Sequence, residues 1–210
     1  MNAKVNATEC IPKSFVDSIQ PIVLVGGASR RFGRDKLREP WQAQPLVQRP
    51  IEALRTFFGM RVKLVGKCDA SILTLADGVM RDLHPGIGPM GGIVSALDGW
   101  NGAVFVLAGD MPNFTQTHIQ RIVAAAYKNP LALAALAYSD RLHPCAGLYQ
   151  RRSLDILSAC IAKQKFKLVE AIAIADILRV TCDAQAVVNI NRMEDVPMPS
   201  FSTTAKKFEP

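Results

Sequence analysis

The sequence predicts an α/β fold: one three-layer domain on a mostly parallel, doubly wound sheet. Three observations point there. Short apolar runs alternate along the chain with segments of helical period, the pattern that places helices on both faces of a parallel sheet. The first run, Ile22–Val25, stops abruptly at Gly26-Gly27. A later run, Ala103–Ala108 (AVFVLA), carries no polar residue and is closed by Gly109-Asp110, as a strand buried on both sides requires.

Taken in order, Ile22–Val25 is the first strand, β-branched and ended by glycine. Pro45–Phe58 has helical period, with Pro50 expected to kink it or end its first turn. Arg61–Gly66 reads as a second strand, Ala70–Ala76 as a short helix and Val79–Asp82 as a third strand. In Pro89–Trp100 the apolar residues Met90, Ile93, Val94 and Leu97 fall at helical spacing, and Pro89 suits a first turn. After AVFVLA, Thr117–Tyr127 is a helix capped by Thr115 or Thr117. Leu131–Tyr138 is ambiguous: its alanines favour helix, whereas Pro130 and the alternation of elements favour a buried strand. His143–Tyr149 reads as strand, Ser153–Lys163 and Leu168–Ala175 as helices, and Ile177–Thr181 and Val187–Asn189 as short strands. Residues 1–18 are expected to form a loose extension, 19–196 the domain, and the proline- and Ser-Thr-bearing stretch 197–210 a tail.

Ligands of such sheets bind beyond the carboxyl ends of the strands. The loop after the first strand, Asp82 after the third and Asp110 after AVFVLA are therefore expected on one edge. That first loop, GGASRRFGRDK, sets five cations (Arg30, Arg31, Arg34, Lys36, Arg38) within nine positions, opposed only by Asp35. Glycine-rich backbone N–H groups facing one concavity bind oxyanions, and with these cations the combination suits a polyphosphate. It is neither the P-loop nor the dinucleotide fingerprint, because Gly33 is followed by Arg-Asp and Gly26-Gly27-Ala28 breaks the G-x-G spacing. Asp110, at the end of an apolar strand, is placed to hold Mg²⁺, which takes one or two carboxylates plus phosphate and water; a turn or cap aspartate is the other reading. The stretch Gly86–Gly92 (GIGPMGG) either lets a base or phosphate approach the backbone or packs closely on the sheet, since each helical glycine costs about 1 kcal/mol relative to alanine. His84 and His143 both precede proline, and no Ser-His-Asp or Cys-His set can be assembled.

The formal charge of +7 favours anionic ligands. There is no arginine-rich arm and no aromatic residue interleaved in a basic stretch, so nucleic acid is not the expected partner. The five cysteines are scattered, with no zinc or redox spacing. No apolar run approaches a membrane span, and the amino terminus lacks the pattern of a signal peptide. A cytoplasmic protein with reduced thiols is the expectation.

The series VLVGGASRRFGRDK, RDLHPGIGPMGGI, VFVLAGDMP, HPCAGLY and VVNINRMED, across roughly residues 21–195, resembles the molybdenum cofactor guanylyltransferase family (molybdopterin-guanine dinucleotide biosynthesis protein A), one of the nucleotidyltransferases with a Rossmann-like fold. The resemblance implies an enzyme that transfers GMP from GTP to the terminal phosphate of molybdopterin, or of the molybdenum cofactor, with Mg²⁺ and release of pyrophosphate. It implies that Gly26, Gly27, Arg31, Gly33 and Lys36 cradle the triphosphate, and that Leu24, Asp82 and Gly88 line the nucleotide pocket. It further implies that Asp110 holds Mg²⁺ and works with Arg31 and Lys36 in catalysis. His143, Pro144, Asn189 and Asn191 fall on the molybdopterin side, and cofactor-biosynthesis and acceptor-enzyme proteins are the implied partners. The chain departs from the family pattern at Arg192-Met193 where Thr-Pro is usual, at Val65-Gly66-Lys67 where some relatives carry asparagine, and at Lys163, Lys165 and Lys167 where relatives carry arginines. A cytidylyltransferase acting on molybdopterin or a sugar-alcohol phosphate, and a non-catalytic nucleotide-binding relative, are the alternative readings.

Overall fold

A computed structural model describes residues 11–26, 35–172 and 177–190. Its centre is the strand β6, Ala103–Ala108, with Val104 to Leu107 wholly buried. Each such side chain contributes roughly 1.5–3 kcal/mol when taken out of water. On one side β6 pairs in parallel with β1 (Ile19–Leu24), Ile22 opposite Val106 and Leu24 opposite Ala108. The sheet continues in parallel through β4 (Lys63–Val65) to β5 (Gly78–Met80). On the other side β8 (Leu142–Tyr149) is antiparallel to both β6 and β7 (Ala134–Tyr138), and β7 pairs in parallel with β9 (Ile177–Thr181). The seven strands run in the order β5-β4-β1-β6-β8-β7-β9. A separate hairpin joins β2 (Pro40–Trp41) to β3 (Gln44–Pro45).

Alternation along the strands builds two cores. Phe105 and Leu107 face one side, with Val23, Leu64 and Leu148. There they pack against α2 (Gln48–Phe58) through Ile51, Leu54 and Phe58, and against α5 (Gln116–Lys128) through Ile119, Ile122 and Val123. Val104 and Val106 face the other, with Ile22, Leu136 and Tyr149. That side is covered by α4 (Pro89–Asp98) through Met90, Ile93, Val94 and Leu97, α6 (Ser153–Ala162) through Leu157, and α7 (Leu168–Ile172) through Leu168 and Ala171. The three-layer, mostly parallel α/β fold expected from the sequence is the fold observed.

Several elements differ from expectation, each for a local reason. α2 starts at Gln48 rather than Pro45, which instead closes the hairpin, and Pro50 sits in the first turn, where a missing N–H breaks no helical bond. β5 ends at Met80, so Asp82 lies in the following turn. Val187–Asn189 is not a strand: Ala184–Val187 is a 3₁₀ turn that buries Ala186 and Val187 in the core. The ambiguous segment resolves as strand over Ala134–Tyr138, its alanines fitting a tightly covered sheet. Within the expected loose extension, Lys13–Asp17 form a helical turn, α1. Phe15 packs against Tyr127 with ring centroids 5.2 Å apart and the rings tilted by 56°, and Arg61 donates to the carbonyls of Val16 and Asp17. A short helix, α3 (Ala70–Leu73), follows β4.

Candidate active site

Six strands of the sheet share one direction, so the carboxyl ends of β1, β4, β5 and β6 open on a single edge. β8 runs the other way and therefore delivers its start, not its end, to that edge: His143 lies opposite Ala137, near the end of β7. Close backbone approach shapes the edge. Gly66, at φ +116°, lies so near Val25 that an added Cβ would sit 1.7 Å from the Val25 carbonyl oxygen. No other residue fits there. α4 lies equally close to the sheet, since a Cβ on Gly92 would meet the Leu24 side chain at 2.7 Å and one on Gly91 would meet the His84 carbonyl at 2.4 Å. Packing accounts for those two glycines, whereas Gly86 and Gly88 face open space.

Lys36 and Asp110 are brought together by the apolar residue between them. Leu37 is buried, and Gly109 leaves room for it: a Cβ there would lie 3.2 Å from Leu37 Cδ2. The Gly109 N–H donates to the Leu24 carbonyl, tying the end of β6 to that of β1. With Leu37 seated, Lys36 Nζ lies 2.6 Å from Asp110 Oδ2 and 3.1 Å from the Ile190 carbonyl oxygen. The two side chains are 19% and 14% exposed, which leaves the pair reachable by a ligand yet shielded enough for its charges to matter. The Ile190 N–H in turn donates to the Asp110 carbonyl at 2.9 Å. Beside this pair, burial and the negative charge of Asp110 push the Cys145 thiol up to about 12, so it stays protonated and is not a nucleophile at neutral pH.

Asp35 secures the turn that carries Lys36. One carboxylate oxygen accepts from the Leu37 N–H at 3.1 Å and caps the 3₁₀ turn Lys36–Arg38; the other accepts from the Asp69 N–H at 3.0 Å. Asp69 caps α3 through Ser71 and pairs with Arg38 at 3.0 Å. The Ser71 hydrogen bonds, then the Arg38 charge, hold its carboxyl below the ordinary range. The turn that carries Lys36 and the loop after β4 are thus fastened together.

Other sequence-predicted residues have structural partners. Asp82 accepts from the His84 N–H at 2.9 Å and approaches Ser95 Oγ at 3.4 Å, closing the turn into α4. Leu24 supplies the carbonyl that Gly109 uses and a side chain that seats Gly92. The segment at Gly26 lies against the Lys67 backbone. His143 is buried, with Nε2 2.8 Å from Ser139 Oγ; burial, then Arg141, lower its pKa against the pull of Asp140. The Pro144 carbonyl accepts from Tyr149 at 2.6 Å. Asn189 is exposed, next to Ile190. Gly27, Arg31, Gly33 and Asn191 lie outside the described residues. Asp35, Asp69 and Ile190 were not singled out from the sequence. Asp35 could have been, as an aspartate opening a turn; Ile190 could not, because it acts through its backbone.

Among the described residues no group of three or more His, Cys, Asp or Glu side chains forms a metal cage. Asp110 offers a single carboxylate, the donor set of an ion whose other ligands are phosphate and water. A hollow of about 500 Å³ opens at the opposite edge, lined in part by Arg151 and Arg152. Both guanidinium groups there donate to backbone carbonyls, Arg151 to Leu97 and Arg152 to Pro130 and Ala132, and act as struts. Among the described residues no helix is long and apolar enough to cross a membrane.

The family model described as "MobA-like NTP transferase domain" matches residues 21–180. The chain is similar to a protein named probable molybdenum cofactor guanylyltransferase from Pyrococcus horikoshii, with 30% identity over 83% of this chain and 95% of that one. Among solved structures, it is similar to molybdopterin-guanine dinucleotide biosynthesis protein A from Archaeoglobus fulgidus, at a TM-score of 0.68 and 21% identity, covering 84% of this chain and 94% of that one. It is also similar in fold to Rv0371C of Mycobacterium tuberculosis, described as a complex with manganese, at a TM-score of 0.60 and 15% identity, covering 85% and 95% of the two chains. The family match spans most of the chain, the sheet edge with Lys36 and Asp110 included: the chain belongs to the MobA-like NTP transferase domain family and is a nucleotidyltransferase.

Proposed function

We propose that the protein transfers GMP from GTP to the terminal phosphate of molybdopterin, with release of pyrophosphate. The observation that carries this reading is the Lys36–Asp110 pair, 2.6 Å apart at the carboxyl edge of the sheet. The name of the Pyrococcus relative supports the choice of donor and acceptor. In the reaction an ionised oxygen of the acceptor phosphate forms a bond to the α-phosphorus of GTP. The bond from that phosphorus to the bridging oxygen breaks, and the electron pair leaves with pyrophosphate. No proton has to be removed from the nucleophile, so the absence of a histidine poised as base costs nothing.

Catalysis of this kind is positioning and charge stabilisation. Lys36 turns from Asp110 toward the β- and γ-phosphates and steadies the departing charge as a mobile point cation. Arg31, Gly26, Gly27 and Gly33 complete the cradle in this reading, and Leu24, Asp82 and Gly88 border the nucleotide. His143-Pro144 and the Asn189–Asn191 stretch lie toward the acceptor. Asp110 would hold Mg²⁺, which supplies neutralisation of phosphate oxygens.

The test is direct. Purified protein is given GTP, Mg²⁺ and molybdopterin, and pyrophosphate and the dinucleotide product are followed by coupled assay and mass spectrometry. Product from GTP supports the reading, product from CTP alone replaces the base, and no product from either overturns it.

A further inference from the structure

We propose that Ile190 is a positioning residue for the catalytic lysine, by which the end of the domain governs the donor side of the site. Three contacts converge on it. Its carbonyl accepts from Lys36 Nζ at 3.1 Å. Its N–H donates to the Asp110 carbonyl at 2.9 Å. Its side chain, 2% exposed, is buried with Trp41 and Leu46 in a small cluster separate from the two main cores. One residue therefore grips both members of the ion pair through its main chain. Through its side chain it holds the hairpin that follows Lys36 in sequence.

The arrangement answers a physical need. A lysine side chain is a flexible four-carbon stem with many rotamers, and a carboxylate partner alone fixes its distance better than its direction. A second acceptor on the rigid main chain narrows the arc. The hold of that acceptor also depends on the Ile190 side chain remaining seated, since the chain before it makes a 3₁₀ turn and an extended stretch rather than a strand. Displacements of about 1 Å can cost on the order of a hundredfold in rate. Ile190 also adjoins Asn189, so the proposed acceptor side and the lysine share one peptide segment.

The kinetic part of this inference rests on the function proposed above; its structural part does not. The test uses Ile190→Ala, Ile190→Val and, from the hairpin side of the cluster, Leu46→Ala. The first readout is the rate at which acetic anhydride labels Lys36 in the folded protein, measured by mass spectrometry against Lys63 and Lys128. Ile190→Ala and Leu46→Ala are expected to label Lys36 several-fold faster with the reference lysines unchanged, and Ile190→Val to restore protection. The second readout is turnover, with kcat expected to fall about tenfold or more in Ile190→Ala and KM for GTP to change less. Unchanged Lys36 labelling in the folded variants overturns the proposal, as does a loss of thermal stability with normal labelling and normal kcat. A wild-type protein that transfers no GMP sinks the functional reading, while the labelling result still decides the positioning role.

Discussion

Replacing Ala43 by glycine should stabilise this protein. Ala43 and Gln42 form the two-residue connection between Trp41 and Gln44, which pair as antiparallel strands. Both have left-handed backbones, with φ of 68° and 50°. This is the geometry that matches strand twist in tight hairpins and normally calls for Asn-Gly. An L-residue in that conformation costs roughly 1–2 kcal/mol, and alanine has no polar group to offset it locally. Glycine removes the clash but returns about 0.4–1 kcal/mol to the unfolded chain as entropy. The net expected gain is about 0.5–1 kcal/mol. For a chain of this size that corresponds to a rise in Tm of roughly 1–4 °C. Urea and thermal unfolding followed by circular dichroism would measure it, with Ala43→Val as the opposing control, since a β-branched side chain fits this conformation worst. If Ala43→Gly were neutral or harmful and Ala43→Val harmless, the hairpin does not store this strain. The cluster of Trp41, Leu46 and Ile190 is what we hold responsible for stabilising the unfavourable turn.

Lys36→Ala should lower pyrophosphate release from GTP by well over tenfold, a loss above ~1.4 kcal/mol in the barrier; wild-type turnover would remove Lys36 from the mechanism. Asp110→Asn should unfold as cooperatively as the parent yet show a flat response to Mg²⁺ in the same assay; an unchanged metal titration would contradict its assigned role. Asp77 should give the protein part of its acid sensitivity. Burial disfavours its charge, but hydrogen bonds from Arg55 and the Val62 N–H, then the Arg55 charge, outweigh that and lower its pKa from the ordinary 3.8. A depressed carboxyl contributes fully above its unfolded value and loses that contribution as pH falls through the folded one. Below about pH 4 the stability of the parent should therefore drop more steeply than that of Asp77→Asn; parallel slopes would refute this.

Burial decided how much of this was readable in the chain. AVFVLA is the observed β6 to the residue because all six positions are covered on both faces, and a continuous apolar run has no other use in a short segment. Pro89 marked the first turn of α4 because its missing N–H is harmless only there. The reversal of β8 left no mark in its own pattern, since direction is not a local property. The clue was the connection: only residues 139–141 separate β7 from β8, too few for a parallel crossover. Within the site, Asp110 stood out because it closes a wholly apolar strand, and Lys36 because it belongs to the run of cations after the glycine pair. Ile190 stayed hidden, an ordinary apolar residue whose carbonyl does the holding, and the same is true of Leu37, whose seat under Gly109 sets the pair together.

The reversed strand also divides labour along the rim of the sheet. β4, β5 and β6 hand over there to crossover helices, while the turn between β7 and β8 spans only residues 139–141 and is braced by the contact of Ser139 with His143. Changes in that turn can reshape one corner of the rim without disturbing the loops around Lys36. The rim of the sheet is thereby free to vary at a single bend while the parallel core stays fixed.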